Sequence, residues 1–173
     1  MRTRTGRTVV TCLLLMLAGT LVFAAGDDFG ARGAAGKTGL SVAQMLGYAI
    51  QDEYLARAEY DAIMARYGAV RPFSNIIRAE EQHVAWLVDL FKTHGLPLPA
   101  DTAKGLVVLP KDMKSALEAG VQAEVENIAM YDAFLKGAAG SPLPADVRRM
   151  FEELKRASEN HLRAFQNNLA RYR

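Results

Sequence analysis

Four stretches of the chain repeat apolar residues at the three- and four-residue spacing of a helix face. The first carries Val42, Leu46, Ile50, Ala56, Tyr60, Ile63 and Tyr67, and the second Phe73, Ile76, Ile77, Val84, Leu87, Leu90 and Phe91. The third carries Met113, Leu117, Ile128, Tyr131 and Leu135, and the fourth Val147, Met150, Phe151, Leu154, Leu162, Phe165 and Leu169. Four amphipathic helices and an all-α chain follow from this spacing. Each stripe is also interrupted by ionisable residues: Glu53 in the first, Glu80 and His83 in the second, Glu124 in the third, His161 in the fourth. An unpaired carboxylate in a core costs several kcal/mol even after relaxation, so these groups must be neutralised or liganded. One polar cluster inside a four-helix bundle accounts for all four interruptions.

Local signals set the boundaries. Ser41 and Gln44 form a capping box and Leu40 is placed to staple onto Met45, so the first helix starts at Ser41 and runs to about Tyr67. Gly68 to Arg71 is a short turn, Pro72 opens the second helix, and Gly95 with Pro97 stops it after His94. The third helix starts near Pro110 with Asp112 in its first turn and ends before Gly137, and Ser141-Pro142-Leu143-Pro144 leads into the fourth. Arg171 and Arg173 suit the C-terminal dipole of that last helix. Short loops make antiparallel neighbours, whereas the connection from Gly95 to Leu109, about 50 Å when extended, is long enough to cross the whole bundle. The expected domain is an antiparallel four-helix bundle over 41–173, two hairpins joined by a longer crossover.

The two hairpins echo one another. Glu53 and Tyr60 recur as Glu124 and Tyr131 at an offset of 71, and Glu80-Glu81-Gln82-His83 is matched by Ser158-Glu159-Asn160-His161 at an offset of 78. The Pro-Leu-Pro-Ala-Asp strings beginning at 97 and 142 do not share either offset and are turn chemistry.

The first 24 residues stand apart from this pattern. Arg2, Arg4 and Arg7 precede an apolar run from Val9 to Phe23 and a Val22-Phe23-Ala24 cleavage pattern, the layout of a secretory signal, with the mature chain starting near Ala25. An uncleaved membrane anchor is the alternative; otherwise the chain is periplasmic or secreted. Removing the three leader arginines from 21 basic residues leaves 18 against 19 acidic ones, a net charge of −1. The basic character of the full chain therefore belongs to the leader, and a nucleic-acid partner is not expected. The sole cysteine, Cys12, also lies in the leader, which excludes thiolate metal sites, disulfides and redox cysteines from the mature chain. Five glycines between Gly26 and Gly39 make 25–40 a flexible linker.

Three residues separate Glu80 from His83, which puts both on one helical face within reach of one ion or of adjacent ions. A dimetal carboxylate bundle takes one Glu from each of two helices and a Glu-x-x-His from each of the other two; five of those six ligands are present in Glu53, Glu80, His83, Glu124 and His161. Plainer readings compete. Glu53 has Arg57 one turn on as an ion-pair partner, Glu126 competes with Glu124, His94 suits a helix C-terminus, and Tyr60 and Tyr131 suit core packing.

With these residues placed, the chain resembles the ferritin-like superfamily and, within it, an uncharacterised bacterial and archaeal domain-of-unknown-function family, family 2202. The resemblance rests on Glu53-Tyr-Leu-Ala-Arg, Asn75-Ile-Ile-Arg-Ala-Glu-Glu-Gln-His83 and Asn160-His-Leu-Arg-Ala-Phe165 and covers roughly Ser41 to Leu169. It implies that Glu53, Glu80, His83, Glu124 and His161 face metal, with iron the first ion to test and manganese or zinc as alternatives. Ser158 stands where the superfamily has a second bridging Glu, and Asn127 where the narrower family has an acidic residue. A single metal, or an asymmetric pair with water filling the gap, is then expected, with Tyr60, Tyr131, Asn127 and Ser158 around the ligands. The functional expectation is an exported metal-binding protein with iron-dependent oxidase or peroxidase chemistry on O2 or peroxide. The alternatives are a non-enzymatic metal-sequestering protein and a structural or interaction bundle with a polar core network. Haem held by two histidines fits poorly, because three carboxylates would face an apolar macrocycle.

Overall fold

The computed structural model describes residues 28–172. The signal and its cleavage site, Cys12, and Arg173 lie outside the described residues. Among these residues there are five α-helices: α1 (Gly30–Ala34), α2 (Val42–Tyr67), α3 (Phe73–Thr93), α4 (Met113–Phe134) and α5 (Ala145–Leu169). Among the described residues there is no strand beyond one isolated bridge between Ala138 and Ser141, and no helix long and apolar enough to cross a membrane.

Side-chain caps set the starts of α2 and α4, and a left-handed glycine follows the end of α3. The Ser41 side chain accepts from Gln44 N while Gln44 reaches back to the Ser41 backbone, closing the expected box. Gly95 has φ +62, the left-handed stop after α3, and Asp112 caps α4 by accepting from Ser115 N at 2.7 Å. Packing joins α2 to α3 and α4 to α5 as hairpins, with α2 against α4 and α3 against α5. Side-chain pairs give the directions. Tyr60 meets Glu124 while Tyr131 meets Glu53, so α2 and α4 run antiparallel; Phe73 meets Phe165 while His83 meets His161, so α3 and α5 do too. The Tyr67 hydroxyl donates to Pro110 O at 2.6 Å, which puts the start of α4 beside the end of α2. The crossover therefore returns along the full bundle, and a 3-10 turn at Ala103–Leu106 anchors it through buried Ala103 against α2.

Two apolar clusters fill the interior. One holds Leu46, Ile50, Leu87, Phe91, Tyr131, Phe134, Phe151 and Leu154, and the other Tyr60, Ile63, Phe73, Ile76, Leu117 and Phe165. Burying each such side chain contributes about 1.5 to 3 kcal/mol. Gly120 lets the Phe165 ring sit against α4: a Cβ there would meet the ring at 2.6 Å. Between the clusters lies a layer of buried polar side chains, Glu53, Glu80, His83, Glu124, Asn127, Ser158 and His161.

Three sequence expectations need correction. Residues 30–34 are not part of a flexible linker but one helical turn with Gly30, Ala31 and Ala34 buried on the bundle. Ala31 N donates to Asp52 Oδ1 at 2.7 Å, Gly30 N to Gln51 Oε1 at 3.3 Å, and Arg32 Nε to Glu126 Oε2 at 2.9 Å. Tertiary partners thus order a composition that resembles a linker. On α4 the stripe residues Leu117, Glu124 and Tyr131 are buried as expected, but Ile128 is only partly so and its neighbour Asn127 takes the inward place, where it accepts from Ser158 of α5. Arg57 pairs with Asp101 of the crossover at 2.5 Å and leaves Glu53 to the interior.

Candidate metal centre

All five predicted ligand residues converge in the polar layer. They form two groups, Glu53 with Glu80 and His83, and Glu80 with Glu124 and His161, in each of which one donor atom per residue lies within 4.8 Å of the others. Glu80 belongs to both. Its Oε2 lies 2.8 Å from His83 Nδ1 and its Oε1 3.2 Å from His161 Nδ1, so each oxygen faces one imidazole. Glu53 Oε2 completes the first group at 3.2 Å from His83 Nδ1, and Glu124 Oε1 the second at 3.4 Å from His161 Nδ1. The two imidazole rings stack at 5.9 Å and 26°.

The tyrosines take matching places around the groups. The Tyr131 hydroxyl donates to Glu53 Oε1 at 3.1 Å and the Tyr60 hydroxyl to Glu124 Oε1 at 3.2 Å, each reaching into the other hairpin. The repeat in the sequence is thus a two-fold relation in space, and Glu80 and Ser158 are its unequal pair. Ser158 Oγ donates to Asn127 Oδ1 at 2.8 Å and lies 3.1 Å from Leu154 O, while Asn127 Nδ2 donates to Asp52 Oδ2.

Charge in the layer is balanced internally. Burial disfavours a charged Glu80, but hydrogen bonds from His161 and His83 outweigh it and hold its pKa at about 2. Burial likewise opposes charge on His83, and Glu53 and Glu80 overcome it to raise the imidazole to about 10; Glu124 and Glu80 raise His161 to about 9. Glu53 is pushed up to about 8 by burial and then by the charge of Glu80, and burial also raises Glu124. Three carboxylates thus share two imidazoles, and their other partners are phenols rather than lysines or arginines. Buried nitrogen and carboxylate oxygen donors of this kind suit a transition-metal ion, which would take the place of the protons now held by the histidines. These two buried groups are able to hold metal; their donors do not specify which.

Other candidates fall outside the layer. Glu126 pairs with Arg32 at the surface, and His94 Nε2 lies 2.9 Å from Asp146 Oδ2 at the start of α5. Sequence reasoning missed Asp52, whose pKa burial raises to about 6, and Glu59, raised to about 7 by burial and then by Asp52. Asp52 precedes Glu53 on the edge of the stripe, where an acidic residue looks like solvent-facing charge; only its partners Ala31 and Asn127 distinguish it.

Among curated proteins no match to the chain was found. In fold it is similar to the crystal structure of hypothetical protein MJ0754 from Methanococcus jannaschii DSM 2661, with TM-score 0.65 and 23% identity over 75% of this chain and 80% of that one. Residues 42–172, the four long helices and the layer between them, match the model of the uncharacterized protein domain DUF2202, and the chain belongs to that family.

Proposed function

We propose that this is an exported, ferritin-like metal-binding protein whose polar layer holds two transition-metal ions, iron foremost, on either side of Glu80. The observation that carries this reading is the position of the Glu80 carboxylate, with one oxygen toward each histidine and a further carboxylate beside each. Each position then has three protein donors, the number found in sites that keep a coordination place for a reactant. Glu53, Glu80, His83, Glu124 and His161 would hold the metal, and iron bound there would supply oxidation of Fe(II) coupled to reduction of O2 or peroxide, the proposed reaction class. The chain's own contribution is to hold the ligands rigidly. Tyr60 and Tyr131 fix the terminal carboxylates, and the apolar clusters on both sides exclude bulk water. Storage or sequestration without turnover is the same binding reading with no reactant.

Thermal unfolding with iron(II), manganese(II), zinc(II) or a chelator tests it. An ion that binds only the folded state raises stability by about 2.7 kcal/mol at 100 times its dissociation constant. That gain should vanish in a Glu80→Gln, His83→Ala double variant and persist in Glu81→Gln, His94→Ala. Equal midpoints under all conditions would favour the second reading, a metal-free network that fixes helix register. One observation speaks for that alternative: among the described residues no buried side-chain nitrogen or oxygen lacks a hydrogen-bond partner. Export is tested separately by expression with the native leader, which should yield a product starting near Ala25.

A further inference from the structure

The polar layer has an aromatic contact that leads outward. Trp86, the only tryptophan of the chain, follows His83 by three residues on α3. Its ring centroid lies 5.6 Å from that of His83, at 35°, within the range of aromatic pairs. His83 in turn stacks on His161. Three rings thus run in a row from one histidine of each ligand group to an indole that is 41% exposed. Any aromatic ring would cover His83 equally well. What an indole adds, and a phenyl ring lacks, is the capacity to give up one electron.

Electron counting supplies a use for that capacity. Hydrogen peroxide takes two electrons as its O–O bond breaks to give two waters, and a layer holding one ferrous ion supplies only one. The other must come from a side chain beside the ligands. Tyr60 and Tyr131 touch the carboxylates, but they are 2% and 0% exposed and each hydroxyl is committed to a buried acid. A tyrosine oxidised there is shielded from any reductant in solution. Trp86 has both contacts it needs, a ligand imidazole on one side and solvent on the other.

We propose that Trp86 is the electron port of the polar layer, the side chain through which a small hydrogen-atom donor of the ascorbate kind reduces an iron centre working on peroxide. It rests on the metal reading above. Fe(II) and the indole each lose one electron, the indole N–H proton leaves to solvent, and peroxide with two protons becomes two waters. One donor molecule then returns an electron and a proton to the indole, and a second returns an electron along the same row to Fe(III). The sum is one peroxide and two donors converted to two waters and two donor radicals.

The test uses the full chain given one equivalent of iron(II) without oxygen, with bound iron measured first. Loading should quench the emission of the sole indole. Hydrogen peroxide should then produce a tryptophan radical in freeze-quenched EPR spectra, recognised by its narrowing when the indole ring is deuterated. Trp86→Phe keeps an aromatic ring over His83; it should bind iron, lose the radical and slow ascorbate oxidation at least about tenfold. Trp86→Tyr restores a ring that can be oxidised and should recover most of that rate. Absence of bound iron in wild type would overturn the metal reading and this inference together. Bound iron with unchanged indole emission, a radical on tyrosine in wild type, a W86F rate equal to wild type, or W86Y as slow as W86F would overturn this inference alone.

Discussion

The two halves of the polar layer are built alike except at one position. In the first, Glu80 sits one turn before His83 and serves both histidines; in the second, the equivalent Ser158 sits one turn before His161 and serves neither. The carboxylate that a symmetric layer would place there is replaced by a hydrogen-bonded chain, Ser158 to Asn127 to Asp52, that ends on the backbone of α1. Two consequences follow. Glu80 alone is shared by both imidazoles, each of which also has a carboxylate of its own in Glu53 or Glu124, and the vacated side becomes a small cavity beside Asp52, Asn127 and Ser158.

The largest expected effect lies at that unequal pair. In metal-free protein, Glu80→Gln removes the shared partner of two buried imidazoles and should cost about 3 to 5 kcal/mol, the range for breaking a buried ion pair. Ser158→Ala should cost about 1 to 3 kcal/mol, the range for leaving a buried amide oxygen without its donor. Urea denaturation measures both, and equal losses would mean that the halves are equivalent after all.

Titration sharpens the comparison. His83 and His161 hold protons more tightly in the folded state, so their contribution is complete below pH 6.5 and is lost as pH rises through about 9 and 10. Glu53, raised from 4.5 to about 8, pulls in the same direction, whereas the contribution of Glu80 is lost only as pH falls from 4.5 toward 2. Metal-free stability should therefore decline from about pH 5 to pH 10, with both imidazoles still protonated at neutral pH in their NMR signals. Metal must displace these protons, so affinity should rise with pH over the same window and loading should release protons into a weak buffer. A flat stability profile would contradict the charge balance described here.

Where the halves are alike, responses should match. Tyr60→Phe and Tyr131→Phe each remove one hydroxyl donor from a buried carboxylate, so each should cost about 1 to 3 kcal/mol. Equilibrium denaturation should find them equal within about 0.5 kcal/mol. The smallest effect is expected at Arg32→Ala, which should change stability by less than about 1 kcal/mol because its bond to Glu126 is a surface pair. A larger loss would show that α1 is held chiefly by that ion pair rather than by Asp52.

The helices and the five converging side chains were legible because both leave marks in one dimension. Caps such as Ser41 with Gln44 are local, and an ionisable group on an apolar stripe such as Glu80 among Ile76, Ile77 and Val84 is conspicuous. The repeat exposed Ser158 as the odd position before any geometry was known. What stayed hidden depends on neighbours that are far apart in sequence. Gly30 to Ala34 carries no apolar periodicity, and its order comes from Asp52, Gln51 and Glu126. Asn127 and Ile128 are adjacent on α4, and a period of 3.6 does not decide which faces inward until α5 supplies Ser158.

Anomalous diffraction from crystals grown with manganese(II) or iron(II) tests the shared-carboxylate centre most directly. Two peaks are expected about 3.5 to 4 Å apart. They should flank Glu80, one beside Glu53 and His83 and the other beside Glu124 and His161, and both should vanish in Glu80→Gln. Metal-soaked crystals with no peak near the Glu80 carboxylate, or with peaks that survive Glu80→Gln, would contradict a metal centre organised around that residue.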